Sequence, residues 1–354
     1  MSEELNQYRG QIDRIDDELL KLLNQRAALA QQIGHIKGEG AVLRPEREAQ
    51  VLRRMAEANT GPLPEQGVTQ LFTEIMSQCR ALEAPITVAY LGPAGTFSEA
   101  AVVRRFGQAS QGTPCVSIDE VFREVESGDT NYGMVPVENS SEGAIGRTLD
   151  LLLQSPLKVC GEVMLPVHQC LLSNEALMTG IKSVYSHPQS LGQCQSWLNA
   201  NLPNAMRVPV ASNAEAARLA AEQPHSAAIA GKQAAERFAV AVQAENIEDD
   251  PRNTTRFLVI GNQDVAPSGK DKTSLAMSAA NRPGAVHDLL APLAKHGVSM
   301  TRLESRPARS GLWEYVFYVD IEGHQLDTTV AAALAELKQV AAFVKVLGSY
   351  PVAA

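Results

Sequence analysis

The spacing of apolar residues changes twice along this chain, and that change limits the fold more than any other feature. Residues 5 to about 84 repeat with helical periodicity, which predicts helices packed in a bundle or coiled coil. From Pro85, short β-branched runs such as ITVAYL alternate with alanine-rich helical stretches, and this predicts βα units on a mostly parallel sheet. A polar linker, APSGKDK, precedes a third pattern. We therefore expect three domains, over residues 1–84, 86–262 and 272–350.

The third pattern has its own order of elements. It predicts a strand (273–280), a helix (284–295), two strands (298–306 and 313–321), a helix (327–342) and a last strand near 344–347. This βαββαβ order is typical of the ferredoxin-like fold. The expected fold class is thus multidomain: an all-α segment, then an α/β domain, then an α+β domain.

Composition excludes several classes of function. The opening MSEELNQYRG has neither a basic nor an apolar region, so no signal peptide is expected, and no apolar run is long enough to span a membrane. Five scattered cysteines without CxxC pairs suit a reducing cytoplasm and predict no metal site. The net charge of −9 argues against binding to nucleic acid, so clustered arginines are interpreted as sites for small anions.

Charged residues interrupt the apolar stripes of the helical segment. Two heptad series run through the first helix: Ile12, Leu19, Arg26, Ile33 and Ile15, Leu22, Leu29, Ile36. Arg26 therefore occupies a seam position where an apolar residue is expected. Lys37 returns to nearly the same face roughly 16 Å further along, whereas Arg9 points about 100° away and cannot serve the same site within one chain.

Two acidic residues repeat this anomaly in the following helices. Glu48 lies on a stripe with Val51 and Leu52, and Glu83 follows Met76 and Cys79 on one face. Buried charges are costly unless they are paired. Interhelical salt bridges, or a device that sets the register of an oligomer, would explain any one of them. Four such positions, with Arg44 and Arg47 at the start of the second helix, favour an enclosed polar ligand instead.

With this spacing, residues 5–84 resemble the helical chorismate mutases. The match is at Arg9, Arg26, Lys37, Arg47, Glu48 and Glu83. A pericyclic rearrangement of a dianion needs only groups that hold the reactive conformer and donors where charge develops. The resemblance implies that Arg26 and Arg47 clamp the carboxylates of chorismate, and that Lys37 and Glu83 act on its ether oxygen. It also implies that Glu48 takes the substrate hydroxyl, and that Arg9 reaches into the partner subunit's site of a homodimer.

Three positions depart from the usual pattern of this family. Arg44 stands where an aspartate is usual and Cys79 where a serine is usual, and both are predicted to line the chorismate site. Glu83 stands where many members have glutamine. Because a carboxylate cannot donate a hydrogen bond, Glu83 must be protonated to act on the ether oxygen. The mutase reaction is therefore expected to slow as the pH rises.

The predicted βα turns of the middle segment have small polar residues at the start of each helix. LGPAGTFSEAA places Thr96 and Ser98 there, VENSSEGAIG places Asn139 and Ser140, and YSHPQSLGQC places His187. Helix N-termini attract anions, and such turns converge at the carboxyl ends of strands in an open α/β sheet. Simple capping explains any single turn equally well.

A fourth stretch, DDPRNTTRFLVIGN, completes the pattern of a known family. In this order, GPAGTFSE, PVENSSEG, YSHPQSLGQC and NTTRF resemble prephenate dehydratases over residues 86–262. The resemblance implies a two-lobed α/β fold, like that of periplasmic binding proteins, with the site in the cleft. It implies that Thr255 is the essential hydroxyl, and Arg256 is expected to offset charge beside it. The other candidates for the prephenate site are Thr96, Ser98, Asn139, Ser140 and His187, although His187 precedes a proline and is equally explained as a turn residue.

Two stretches of the last segment resemble the ACT domains that sense phenylalanine. The predicted effector residues are Gly284, Ala285, Val286, Glu304, Ser305 and Arg306. Free backbone at a helix start suits the carboxylate of an amino acid, and Glu304 could pair with its amine. His287 departs from the apolar residue that is usual there. A helix cap and a strand end of a ferredoxin-like fold would explain the same residues without a ligand.

Together the three segments resemble the bifunctional chorismate mutase/prephenate dehydratases of phenylalanine biosynthesis. The resemblance implies no cofactor, a dimer or higher homo-oligomer, and feedback inhibition by L-phenylalanine. One alternative is a ligand-binding regulator, but the basic patch that its DNA-binding part would need is missing from the sequence. Another is a mutase fused to prephenate dehydrogenase, for which the sequence has no nicotinamide-binding fingerprint.

Overall fold

The computed structural model describes residues 2–37, 43–279, 282–307 and 315–353. The chain begins with three helices, α1 (Ser2–Lys37), α2 (Pro45–Ala58) and α3 (Glu65–Ala81). Most apolar side chains of α1, including Ile12, Leu19 and Leu29, are at least half exposed, so the described residues of one chain leave the stripe of this helix uncovered. Its C-terminal end reaches α3, since a side chain at Gly34 would overlap that of Glu83. Among the described residues, no helix has the length and apolar composition needed to cross a membrane.

The next elements form the first lobe of an α/β unit. They are β1 (Thr87–Leu91), α4 (Phe97–Phe106), β2 (Gln111–Cys115), α5 (Ile118–Ser127), β3 (Tyr132–Asn139), β4 (Gly143–Ala144), α6 (Gly146–Gln154) and β5 (Lys158–Pro166). With the later strand β11 (Thr254–Gly261), the sheet order is β2-β1-β3-β11-β5, and β1 pairs in parallel with both β2 and β3. Strand β3 is buried along nearly its whole length because helices and the rest of the chain cover both faces.

The second lobe follows as an insertion between two strands of the first. It contains β6 (Cys170–Leu172), a short 3-10 helix (Met178–Gly180), β7 (Ser183–Ser186), α7 (Pro188–Gln193), α8 (Gln195–Asn201), β8 (Met206–Pro209), α9 (Asn213–Glu222), β9 (Ser226–Ala230), α10 (Lys232–Phe238) and β10 (Val242–Ala244). Its sheet order is β10-β6-β9-β7-β8. The two segments that join the lobes are bonded to each other, because Val167 N donates to Asn253 O at 2.8 Å.

Strand β11 (Thr254–Gly261) returns the chain to the first lobe and lies between β3 and β5, antiparallel to both. The expectation of mostly parallel pairing is therefore only partly met, and both sheets are mixed. The reason is topological, because a strand that re-enters a sheet from the second lobe runs opposite to the strands that left it. The predicted two-lobed α/β architecture is confirmed.

The last elements have the order that the sequence predicts. They are β12 (Asp271–Ser278), α11 (Ala285–Lys295), β13 (Met300–Pro307), β14 (Tyr315–Glu322), α12 (Thr328–Val340) and β15 (Phe343–Pro351), in an antiparallel sheet of order β13-β14-β12-β15. One face of this sheet packs on α11 and α12. The other face shares a core with the first lobe, where Tyr318 and Tyr350 are buried against residues such as Val135 and Leu149. At Gly348 the two sheets are so close that a side chain would overlap the carbonyl oxygen of Val159.

Candidate functional sites

The hydroxyl of Thr255 lies at the point where the chain re-enters the first lobe. Thr255 of β11 is the register partner of Asn139 of β3, and Asn139 Nδ2 donates to Thr255 Oγ1 at 2.9 Å. The same amide donates to Asn253 Oδ1 at 2.9 Å, and its own Oδ1 accepts from the backbone N–H of Ser141 at 3.0 Å. Because Thr255 accepts from Asn139, its own proton remains available for donation. Thr255 therefore presents a hydroxyl that can donate a hydrogen bond, close to the junction of the two lobes.

Two of the other predicted prephenate residues lie close to this hydroxyl and two lie further along the first lobe. Ser140 is exposed, and its Oγ accepts from Thr254 N at 3.0 Å, which ties the loop after β3 to β11. Thr96 precedes α4, and its hydroxyl donates to Leu91 O at 3.2 Å. Ser98 is buried in the first turn of α4. Within the described ranges, no hydrogen bond joins the side chain of Thr96 or Ser98 to Thr255.

His187 belongs to a polar cluster of the second lobe. It caps α7, where its Nδ1 accepts from Gln189 N at 3.4 Å. Its backbone N–H donates to Asn213 Oδ1 at 3.1 Å, and Asn213 Nδ2 donates to Ser190 Oγ at 2.9 Å. The side-chain amide of Gln169 also donates to Ser190, at 3.1 Å, and its Oε1 is buried with no hydrogen-bond partner among the described residues. Sequence reasoning missed Gln169 and Asn213, because neither belongs to a recognisable local motif.

Arg256 is not beside Thr255, and its assignment to the prephenate site is corrected. Successive side chains of a strand point to opposite faces, so the side chain of Arg256 lies on the other face of β11 from Thr255, where the C-terminal sheet packs. Its guanidinium donates to Glu162 at 2.9 Å, Asp320 at 2.5 Å and Tyr350 OH at 3.0 Å. Only 8% of the side chain is exposed. Burial would lower its pKa, but the adjacent carboxylates hold it above its ordinary value.

The predicted chorismate residues fall into two groups. Arg26 is half-buried, and Glu48 and Cys79 are buried, at the end of α1 that packs on α3. Glu83 lies beside Gly34 of α1. Arg44 and Arg47 are exposed at the start of α2, and Arg9 is exposed far along α1. The side chain of Lys37 lies outside the described residues.

Glu48 is held by two arginines that sequence reasoning missed. It forms ion pairs with Arg80 of α3 and with Arg105 of α4, the latter at 2.8 Å. Burial, followed by the positive charges of Arg105 and Arg26, lowers the pKa of Arg80 to about 10. Arg80 is another cation on a buried helix face, so the reasoning that singled out Arg26 could have found it. Arg105 comes from the dehydratase-like segment, and no pattern in the helical segment points to it.

A cleft of about 1340 Å³ separates the helical segment from the α/β unit. Glu48 is among its lining residues, with residues of α3, α4, β5 and α10, whereas Thr255 is not. This cleft is therefore a groove between domains and not the site around the Thr255 hydroxyl. Within the described ranges, no cluster of three or more histidine, cysteine, aspartate or glutamate side chains could hold a metal ion.

The predicted effector residues lie on two neighbouring elements of the C-terminal unit. Gly284 precedes α11 with a φ of 77°, a left-handed conformation that favours glycine, and Ala285 and Val286 form the first turn. Glu304 is half-buried and Ser305 exposed on the edge strand β13. Arg306 is directed toward the first lobe instead, where its Nε lies 3.3 Å from Asp150 Oδ1. In this chain Arg306 is thus engaged with α6.

Comparisons with known proteins assign all three segments. Family models match for chorismate mutase type II over residues 8–84, prephenate dehydratase over residues 88–265 and the ACT domain over residues 273–339. A bifunctional chorismate mutase/prephenate dehydratase from Neisseria gonorrhoeae is 54% identical over 349 residues, which cover 98% of this chain and 96% of that relative.

Solved structures are similar over the α/β and C-terminal units. A prephenate dehydratase from Arthrobacter aurescens in complex with L-Phe has a TM-score of 0.70 and 34% identity, covering 75% of this chain and 90% of that one. GqqA, described as a novel type of quorum quenching acylase, has a TM-score of 0.69 and 28% identity, covering 75% and 97%.

Proposed function

We propose that this chain performs two consecutive steps of phenylalanine biosynthesis. The premise is that the chain belongs to the bifunctional chorismate mutase/prephenate dehydratase family and has both enzyme activities. It rearranges chorismate to prephenate, then dehydrates and decarboxylates prephenate to phenylpyruvate. We assign the mutase to residues 1–84, the dehydratase to 86–262 and the ACT domain to 272–350. The observation that carries the dehydratase assignment is the hydrogen bond from Asn139 Nδ2 to Thr255 Oγ1 at 2.9 Å, which leaves the hydroxyl proton of Thr255 free to be donated.

The dehydratase step needs a hydrogen-bond donor at the departing hydroxyl. As the C4–oxygen bond breaks, the ring carboxylate leaves as CO2 and its electron pair enters the ring, which becomes aromatic. The hydroxyl leaves with a proton as water, and solvent supplies that proton overall. A threonine hydroxyl is a poor acid, so we assign Thr255 to hydrogen-bond the leaving group while neighbouring groups hold the substrate carboxylates. Asn139 and Ser140 remain our candidates for those groups near Thr255, with His187 on the opposite lobe, and Thr96 and Ser98 further off.

We propose that the mutase is completed by a second copy of the chain. The apolar stripe of α1 is uncovered within one chain, and burial of such a stripe is the main driving force for helix association. Arg9 then acts in the partner subunit's site. In each site Arg26 and Arg47 bind the carboxylates of chorismate, and Lys37 contacts its ether oxygen. Glu48, Glu83, Arg44 and Cys79 line the remainder of the proposed site. The protein is accordingly a homodimer or a higher homo-oligomer.

We further propose that L-phenylalanine inhibits the enzyme through the ACT domain. The backbone of Gly284, Ala285 and Val286 suits the carboxylate of the effector, and Glu304 with Ser305 suits its amine. Inhibition requires that phenylalanine bind the less active of two states more tightly. All five cysteines are free and buried thiols, which suits the cytoplasm, and we place the enzyme there.

The decisive experiment gives the purified protein chorismate alone and follows prephenate and phenylpyruvate separately. Phenylpyruvate formed without added cofactor is the expected result, and prephenate that accumulates unchanged would contradict the dehydratase assignment. Thr255→Ala should abolish the second step and leave the first intact. The matched control is Thr254→Ala, because that hydroxyl is directed to Arg252 O at 3.2 Å and not to Asn139. Loss of both steps in Thr255→Ala would show misfolding.

An acylase activity like that described for GqqA is not supported by the site. Acyl transfer by a threonine needs a base within hydrogen-bond reach to accept its proton. The side chain bonded to Thr255 is an amide that donates, and an amide is not a base.

A further inference from the structure

The orientation of the Asn139 amide is fixed by a group that can only donate. The backbone N–H of Ser141 lies 3.0 Å from Asn139 Oδ1, so this end of the amide must be the oxygen. The nitrogen end therefore faces Thr255 and Asn253, and each of its two hydrogens has one acceptor at 2.9 Å. Rotating the amide by 180° would place two donors against each other at Ser141 and two oxygens against each other at Asn253.

This orientation also fixes Asn253. Since Asn139 donates to it, Asn253 must present its Oδ1, and its own NH2 group is directed elsewhere. That Nδ2 is buried and has no hydrogen-bond partner among the described residues, in a residue that is only 2% exposed. An unpaired buried donor destabilises the folded chain, so its presence in an otherwise bonded cluster points to a ligand that pairs with it.

The unpaired donor lies where both lobes meet. Asn253 precedes β11 by one residue, and its carbonyl oxygen accepts from Val167 N, in the other segment that joins the lobes. Asn253 and Thr255 both contact the amide of Asn139, so their side chains are on the same side of the strand. A ligand oxygen held at the hydroxyl of Thr255 would therefore lie on the side of the strand from which the Asn253 side chain also projects.

We propose that Asn253 is a further substrate-contacting and positioning residue of the dehydratase. Its Oδ1 keeps the Asn139 amide directed at Thr255, and its NH2 donates to an oxygen of the dianionic cyclohexadienol substrate. The inference rests on the proposed dehydratase function. It assigns two roles to a residue whose sequence context, Asn-Thr-Thr, otherwise suggests only a glycosylation acceptor.

Asn253→Asp separates these roles. The aspartate keeps the size and the oxygen that accepts from Asn139, but it removes the NH2 donor and adds a negative charge beside a dianion. Loss of a hydrogen bond to a charged group should lower kcat/KM for prephenate roughly 10- to 100-fold at neutral pH. Lowering the pH should restore part of the activity of this variant relative to wild type, because a protonated aspartate donates again. The mutase reaction should be unchanged.

Asn262→Asp is the matched control, since this exposed asparagine follows the other end of β11 and donates to Val125 O. It should leave kcat/KM within twofold of wild type. Asn253→Ser is the second variant, which should lose at least tenfold in kcat/KM without recovery at low pH. Its result decides the matter if Asn253→Asp does not fold.

The possible outcomes are distinguishable. If the wild-type protein does not convert prephenate, the proposed dehydratase function fails before Asn253 is considered. If the wild type is active and both Asn253 variants stay within twofold of it, the inference is overturned while the function stands. A folded Asn253→Asp protein whose kcat/KM is reduced by the same factor at every pH would also overturn substrate contact. Protonation of an aspartate that touches the substrate would restore a donor and part of the activity.

Discussion

Arg252 and Arg256 flank Thr254 and Thr255, and we expect their replacement to have very different effects on stability. The side chain of Arg252 is 89% exposed, and among the described residues its ion pair is with Asp250. That of Arg256 is 8% exposed and bonded to Glu162, Asp320 and Tyr350. Exposed pairs contribute about 0–1 kcal/mol, whereas removing one partner of a buried pair costs about 3–5 kcal/mol because a charge is left uncompensated.

The contacts that remain set the expected size of the effect of Arg256→Met. Glu162 would keep Lys272, whose Nζ lies 2.9 Å and 3.0 Å from its two oxygens. Among the side chains of the described residues, Asp320 would keep only the hydroxyl of Ser274 as a hydrogen-bond partner. The stranded charge is therefore that of Asp320, and we expect a loss of about 3–5 kcal/mol in the free energy of unfolding. Because the first lobe and the C-terminal sheet share one core, they should unfold together, at a lower urea concentration than in the wild type.

The assay is urea unfolding followed by circular dichroism, since urea does not screen charges as guanidinium does. Arg252→Met should shift the free energy of unfolding by less than about 1 kcal/mol. Arg256→Met combined with Asp320→Asn should be more stable than Arg256→Met alone, because the stranded charge is gone while the acceptor for Ser274 is kept. A loss below about 1 kcal/mol in Arg256→Met, or no recovery in the double variant, would refute the assignment of Arg256 as an ion-pair residue between the sheets.

Three further outcomes are expected. Mutase activity should fall as the pH rises, because Glu83 must carry a proton to donate, and Glu83→Gln should flatten the profile; an unchanged pH profile in that variant would exclude this role. Mixing inactive Arg9→Ala and Arg26→Ala proteins under exchange should restore about one quarter of wild-type mutase activity, since half the dimers are mixed and one of their two sites is intact; no recovery would exclude sharing of sites. Burial raises the pKa of Cys160 to about 12 and of Cys115 to about 11, so at pH 8 these thiols should react with a disulfide reagent only after unfolding, and rapid labelling of either in the native enzyme would contradict their burial.

The element order could be predicted from the sequence, but the pairing of β11 could not. Local periodicity indicates the helices, the alternating strands and helices, and the final βαββαβ unit. Strand β11 pairs with β3 and β5, which lie roughly 90 or more residues earlier for most partners, and local pattern does not encode such long-range pairing. Its buried run, Phe257 to Ile260, identifies a central strand without showing its neighbours.

The candidate sites show the same division. Strand alternation requires Thr255 and Arg256 to face opposite ways, but only the structure shows that the arginine side meets the C-terminal sheet. Asn253 was not predicted, although it belongs to the NTTRF stretch, because its burial follows from the crossing of two chain segments that are distant in sequence. Arg105 was overlooked because a contact between domains leaves no trace in the periodicity of either one.

The insertion of the second lobe makes it an exchangeable module. Its two ends leave the first lobe at register neighbours, Pro166 of β5 and Thr254 of β11, which are directly paired in the sheet. Residues 167–252 could therefore be replaced by the corresponding lobe of another two-lobed protein, or by a short hairpin turn, without changing that register. Asn253, Thr255 and Asn139 would stay in place while the opposite wall of the cleft was exchanged. Substrate preference in such an enzyme could then change by recombination of one contiguous stretch of gene.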